Sequence, residues 1–187
     1  MLELLKKSLL EAPIIQRGEY RYFIHPITDG IPRLSPELLR EVTLALKNFA
    51  ELNVDYILTV ESMGIHIASA LALETGLPIN IVRKKPYGLK GERILQQETG
   101  YGKSKLYVNY VDKGDRIMVV DAVISTGGTL SVVLGALKEL GAKVIDAWCV
   151  IERGRGVERV KRETGIEVKT LVKIEVSDKV KIISSVV

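Results

Sequence analysis

The segment Val119-Val120-Asp121-Ala122-Val123-Ile124-Ser125-Thr126-Gly127-Gly128-Thr129-Leu130 constrains this chain more than any other part of it. The apolar run Ile117 to Val120 predicts a strand ending in the carboxylate of Asp121. Ser125, Thr126, Gly127 and Gly128 then make a loop of hydroxyls and glycines, and helical spacing of apolar residues begins at Leu130. A strand turning through such a loop into a helix gathers backbone N–H groups, hydroxyls and the positive end of a helix dipole at one point. That is a seat for a phosphate monoester, with an acid beside it able to hold hydroxyl groups. A phosphorylated sugar satisfies both halves. An ordinary capped strand-to-helix turn would account for the Ser, Thr and Gly alone.

Spacing excludes two commoner phosphate loops. A P-loop requires lysine directly after its last glycine, and none follows Gly127-Gly128. The dinucleotide fingerprint G-x-G-x-x-G after a strand is missing from the chain. The 187 residues suit one domain with a substantial core, and 47% apolar with 27% charged residues is the balance of a globular protein. Met1 to Glu11 carries Glu3, Lys6 and Lys7 in an amphipathic pattern, which is not that of a signal peptide. No uncharged apolar run approaches membrane-spanning length, so a cytoplasmic protein without membrane partners is expected. Cys149 stands alone in an apolar stretch and reads as a buried thiol, with neither disulfides nor a thiol metal site. Few Asn, Cys and Met beside many Lys, Glu, Val and Ile is a thermophile-like balance, which points to a hyperthermophile.

The net charge of +4 is unevenly placed. Arg83, Lys84, Lys85, Lys90, Arg93, Lys103 and Lys105 lie within one stretch holding only two acids, Glu92 and Glu98. A nucleic-acid partner would call for charge along a helix or over a broad face, so none is expected. Here the charge surrounds Pro86-Tyr87-Gly88-Leu89-Lys90-Gly91, which reads as a mobile loop. Taken alone it is a solvated loop; beside a sugar-phosphate seat it reads as a lid over a polyphosphate.

Along the chain, strands alternate with helices. Strands are predicted over Val54 to Val60, Pro78 to Arg83, Leu106 to Val111, Ile117 to Asp121, Val144 to Ile151 and Val168 to Ile174. Helices are predicted over Gly64 to Glu74, from Leu130 to a stop at Gly141, and near Val157 to Glu163. Ser35-Pro36-Glu37 opens a further helix as cap, first-turn proline and first-turn acid. The alternation predicts an α/β fold, a central mostly parallel sheet flanked by helices. Ligands then gather beyond the C-terminal strand ends, which draws in Glu61-Ser62-Met63-Gly64 and Arg83-Lys84-Lys85.

The stretch Ile117 to Leu130 resembles the ribose-phosphate signature of type I phosphoribosyltransferases, with Ala122 where that family has its second acid. Glu61 to Gly64 resembles the pyrophosphate loop of the purine branch, in which the adenine-specific members commonly have arginine at the position of Met63. Arg83-Lys84 is similar to the same branch. Tyr20-Arg21-Tyr22-Phe23-Ile24-His25-Pro26 looks like the N-terminal hood of archaeal hypoxanthine and adenine-type enzymes, and Tyr101-Gly102-Lys103 like the end of the catalytic lid. The likeness runs from Leu2 to about Ile174 and is nearest the archaeal hypoxanthine/guanine group. It implies one phosphoribosyltransferase domain over 1–187, with 1–34 as hood and 84–105 as lid.

The resemblance also implies the chemistry. 5-Phosphoribosyl 1-pyrophosphate would place its 5-phosphate on Ser125, Thr126, Gly127, Gly128 and Thr129. Its pyrophosphate would meet Glu61, Ser62, Met63, Gly64, Arg83, Lys84 and Lys85, with Mg²⁺ bound mainly through the substrate. Asp121 would hold the ribose hydroxyls and favour positive charge at C1, while Arg83 and Lys85 stabilise the leaving group. Phe23, Ile24 and His25 would line the purine pocket, with Tyr101 and Lys103 on the lid and His66 in a surface or packing role. A homodimer is usual for such enzymes. Adenine as substrate, or a non-catalytic regulator that lost activity with the acid at Ala122, remain alternatives. Restoring aspartate at Ala122 is expected to raise turnover.

Overall fold

The structure is a computed structural model describing residues 1–18, 20–99 and 102–187, with side chains described outside 97–104. A six-stranded sheet forms its centre, in the order β10-β9-β8-β7-β3-β4. The members are β3 (Tyr56–Val60), β4 (Ile79–Val82), β7 (Arg116–Ile124), β8 (Lys143–Arg153), β9 (Lys169–Val176) and β10 (Val180–Ser185). All neighbours are parallel except β10, which returns antiparallel on β9. Parallel strands are covered on both faces, and their sequences are accordingly near-continuous apolar runs. Strand alternation divides these runs between two cores. Ile57, Met118, Val120 and Trp148 pack with one set of helices, while Leu58, Ile117, Val119 and Cys149 pack with the other.

The first core takes α1 (Glu3–Leu10), α2 (Pro26–Asp29), α3 (Pro36–Phe49) and α4 (Ile65–Thr75). Ser35 caps α3 as expected, its hydroxyl accepting from the Leu38 N–H at 3.2 Å. The second core takes α5 (Gly128–Glu139), α6 (Gly156–Thr164) and the base of an antiparallel hairpin, β5 (Arg93–Thr99) with β6 (Gly102–Val108).

The expected hood divides in two. Leu2, Leu5 and Leu9 are fully buried, so α1 belongs to the main core; β1 (Ile14–Arg17) and β2 (Tyr20–Phe23) form a separate hairpin. The expected lid also has more structure than a loop. Glu92 accepts the N–H groups of Tyr87 and Gly88 at 2.9 and 3.2 Å and the Asn109 amide at 3.0 Å, organising the turn by a buttress that composition does not reveal. Leu95 and Leu106 anchor the hairpin in the second core.

β7 also differs from its prediction, running through Asp121 to Ile124. On the β8 side pairing continues to Ile124, opposite Glu152. On the β3 side it stops at Val120, opposite Thr59. Beyond Val120 the strand therefore has an open flank, and Asp121 and Ala122 face the loop that follows β3.

Candidate active site

Four loops leave the same edge of the sheet, after β3, β4, β7 and β8. Asp121 sits among them. Its Oδ1 accepts the N–H of Ala122 at 2.7 Å. Burial pushes its carboxyl up to about 6, against the lowering effects of that N–H and of the Lys84 charge. The loop after β3 can lie this close only because residue 64 is glycine. A Cβ there would fall 2.0 Å from Thr59 Oγ1 and 3.1 Å from Asp121 Oδ1.

Three cavities adjoin one another around Asp121. The first, of about 550 Å³, is lined by Glu61, Ser62, Met63, Lys84, Asp121 and Thr129, with Thr28, Lys105 and Ala122 among its other walls. The second, of about 150 Å³, is the cradle made by Asp121 and the loop from Val123 to Leu130. The third, of about 650 Å³, begins at Ser125 and Thr126 and runs between Tyr20, Arg153 and the arginines of α6. The cradle shares Asp121 and Thr129 with the first and Ser125 and Thr126 with the third.

The cradle owes its shape to glycines that meet backbone to backbone. Gly127, at φ 77°, precedes α5, and a Cβ on it would lie 2.6 Å from the Gly156 carbonyl oxygen. A Cβ on Gly156 would lie 2.5 Å from the Ser125 carbonyl oxygen. The turn after β8 thus braces the loop after β7. The first turn of α5 directs backbone N–H groups and its positive dipole end into the hollow, which suits an anion.

The expected pyrophosphate residues are brought together unequally. Glu61, Ser62, Met63 and Lys84 line one wall. Arg83 is engaged elsewhere: its Nε donates to Glu61 Oε2 at 2.8 Å, and its guanidinium lies 5.5 Å from the Tyr87 ring centre. The Lys84 N–H also donates to that carboxylate, and this bond together with the Arg83 charge holds Glu61 below the usual carboxylate range. Glu61 is therefore an ionised brace that orients Arg83 and the following backbone. Lys85 is exposed and lines none of these cavities.

In the hood, Phe23 is buried in the first core and Ile24 is half-buried. His25 is fully buried, with Nδ1 accepting from the Ile27 N–H at 3.2 Å and Nε2 2.9 Å from Ser8 Oγ. Burial lowers its imidazole to about 4, so it is a neutral helix cap and lines none of the three cavities. His66 is half-buried, as a packing role would have it. Tyr101 lies outside the described residues, and of Lys103 only the backbone, in β6, is described.

Sequence reasoning missed Thr28 in the first cavity and Arg153 and the α6 arginines in the third, whereas it placed Lys105 and Tyr20 only broadly, on the lid and in the hood. Arg153 carried a usable signal: it ends a parallel strand just before Gly154-Arg155-Gly156, at the edge where ligands collect.

A seat for a phosphate, a carboxylate beside it and a cation-lined hollow beyond are what a sugar phosphate with a second charged group requires. Comparison with known proteins agrees, for the phosphoribosyl transferase domain family matches residues 27–183. This chain belongs to the phosphoribosyl transferase family. The hypoxanthine/guanine phosphoribosyltransferase of Methanothrix thermoacetophila is 55% identical over 96% of this phosphoribosyltransferase and 94% of its own length. That of Methanobacterium lacus is 51% identical over 95% and 94%. Among solved structures, adenine phosphoribosyltransferase from Thermoanaerobacter pseudethanolicus superposes with a TM-score of 0.74 at 22% identity, covering 92% of the phosphoribosyltransferase described here and 99% of that chain, a likeness of fold. Among the described residues no helix is long and apolar enough to cross a membrane.

Proposed function

We propose that this protein serves purine salvage, transferring the 5-phosphoribosyl group of 5-phosphoribosyl 1-pyrophosphate to hypoxanthine or guanine and giving IMP or GMP with pyrophosphate. The observation that carries the reading is the continuity of the three cavities around Asp121, each suited to one part of the substrates. The 5-phosphate lies in the cradle of Ser125 to Thr129, and the ribose hydroxyls meet Asp121. The pyrophosphate lies toward Ser62, Met63, Gly64, Lys84 and Lys105. The purine approaches from the hood side. Relatives named for hypoxanthine and guanine over nearly the whole chain favour these bases over adenine. They equally favour an enzyme over a regulator.

Breaking the C1–O bond leaves positive charge on the ribose and negative charge on pyrophosphate. Asp121, ionised, stabilises the first and the two lysines the second. N9 of the purine bonds to C1 as the C1–O bond to pyrophosphate breaks, the base's N–H proton passing to solvent, so no protein nucleophile is required. Among the described residues no three His, Cys, Asp or Glu side chains group as metal ligands. Asp121, with its open flank, is a single oxygen donor that suits Mg²⁺ carried mostly by substrate oxygens. Bound there, the ion would neutralise pyrophosphate charge. We further place the protein in the cytoplasm as a homodimer, with a single peak of twice the chain mass in analytical ultracentrifugation as the check.

The decisive experiment is a panel of nucleobases with the diphosphate sugar and Mg²⁺, followed by nucleotide and pyrophosphate release. Nucleotide from hypoxanthine or guanine is the expected result. Tight binding of the sugar with no product from any base would establish the regulator instead.

A further inference from the structure

We infer that the arginine face of α6 is a second anion site, built for an oligophosphate chain, whose occupant opposes binding of a phosphate in the neighbouring cradle.

Arg155, the N-cap of α6, is followed at i+4 and i+7 by Arg159 and Arg162, so one side of the helix carries three guanidinia. All three line the third cavity, whose volume of about 650 Å³ is that of a small-molecule site. Its charge is unbalanced: with Arg153, four arginines face two acids, Glu158 and Glu175. Lys161, elsewhere on α6, is paired with Glu167 at 3.3 Å, and Arg159 with Glu163 at 2.8 Å. Arg155 and Arg162 are exposed, and among the described residues their guanidinia form no hydrogen bond or ion pair. Like charges at such spacing destabilise a helix, and an anion lying across them removes that cost.

Chemistry and length choose the anion. Guanidinia take phosphate oxygens in forked, charge-assisted pairs. Seven residues of helix rise about 10 Å, a span that suits a chain of phosphates better than a single one. Arg159 connects this face to the cradle, since its Nη1 donates to the Thr126 carbonyl oxygen at 3.4 Å. A phosphate oxygen is the stronger acceptor, so an oligophosphate draws Arg159 away from Thr126. Two anions held so close also repel each other. Both effects weaken the cradle's grip, and by linkage a phosphate in the cradle weakens the oligophosphate by the same factor. This antagonism rests on the reading of Ser125 to Thr129 as the 5-phosphate seat; binding on α6 does not.

The test is calorimetric titration of inorganic triphosphate, without Mg²⁺, into the unaltered protein, Arg155→Ala/Arg162→Ala, Glu158→Gln and Lys84→Met. A site that the double variant weakens about tenfold or more, and that Lys84→Met keeps within about twofold, is the expected result. Glu158→Gln should tighten it a few-fold by removing a repelling charge. Triphosphate that fails to bind, or that the double variant binds as well as the unaltered protein, overturns the inference. Arg155 and Arg162 line neither the cradle nor the first cavity, so ribose 5-phosphate binding and Tm should survive in the double variant and vouch for its fold. Saturating triphosphate should weaken ribose 5-phosphate several-fold in Lys84→Met, an effect the double variant loses; unchanged affinity would overturn the antagonism. GTP in place of inorganic triphosphate separates the two sources of such a chain. Equal affinity assigns the site to free oligophosphate, and tighter binding to a nucleotide that carries it. A protein that binds triphosphate on α6 yet makes no nucleotide from any base defeats the transferase reading alone, and the reverse outcome defeats this inference alone.

Discussion

Asp121 is the side chain on which most of the proposed chemistry converges, and its setting gives it an unusual titration. Burial raises its carboxyl from an ordinary value of 3.8 to about 6. The native state thus holds a proton that the unfolded chain has lost between those values, so this group's contribution to stability declines as pH rises through that window. Its proposed work with substrate has the opposite sign, because ribose hydroxyls and a positive C1 would both want the carboxylate. kcat/KM for the diphosphate sugar should climb as pH passes about 6 and then level. A phosphate monoester titrates nearby, so the diagnostic is the difference from Asp121→Asn, which should lose the protein's share of that limb. Replacing Lys84 by Met removes a charge that holds Asp121 down, and the limb should move upward. At Ala122 the structure amends the expectation from sequence. Ala122 is 1% exposed and packs in the first core, yet it also lines the first cavity. Ala122→Asp should lower KM for the diphosphate sugar through a new ribose contact. It should also cost about 1–3 kcal/mol of stability, a fall of roughly 2–10 °C in Tm by calorimetry.

At the scale of elements, the hydrophobic periods located the five parallel strands of the sheet and the helices α3 to α6 within a few residues, because burial on a parallel sheet demands continuous apolar runs, but they missed the antiparallel edge strand β10. The strand and loop at Asp121 were legible for the same reason, together with their glycine and hydroxyl chemistry. The hairpin of β5 and β6 was legible only in part: the strand expected over Leu106 to Val111 overlaps β6, but the sequence of β5 is mostly polar, and the turn before it is organised by Glu92, a contact between residues that no period relates. The brace between the two glycine turns was equally invisible, being a meeting of backbones far apart in sequence. It can be tested. Gly127→Ala or Gly156→Ala should weaken binding of ribose 5-phosphate by about tenfold or more in calorimetric titration, because the added carbon collides with a carbonyl oxygen that cannot retreat. Gly135 is the control. It lies inside α5 with nothing within 4 Å of an added Cβ, so Gly135→Ala should leave binding alone and stabilise by about 0.5–1 kcal/mol.

Over the whole molecule, the hood hairpin is joined to the body by contacts from several elements. Arg153 reaches the Arg21 carbonyl, Tyr20 reaches Ser125, and Arg21 pairs with Asp178 in the turn between β9 and β10. Long-range contacts of this kind explain why the side of the site facing the hood was its least legible part. His25 looked like a base ligand from its place beside Pro26, yet the fold uses it as a cap, and the arginine that meets the hood, Arg153, comes from the end of β8, 132 residues after the Arg21 carbonyl it bonds. The proposed pyrophosphate end was easier to place, because its charge lies in one stretch of sequence, although only Lys84 and Lys105 of that stretch line the first cavity. Lys84 and Lys105 are solvent-exposed. Raising ionic strength from about 0.05 to 0.5 M should therefore increase KM for the diphosphate sugar several-fold and leave KM for the purine nearly constant. The touching backbones of Gly127 and Gly156 carry a lesson for anyone recombining such enzymes. The loop proposed to grip phosphate and the turn that follows the neighbouring strand must be grafted as a pair, since a chimera inheriting them from different parents joins two surfaces never shaped to lie against each other.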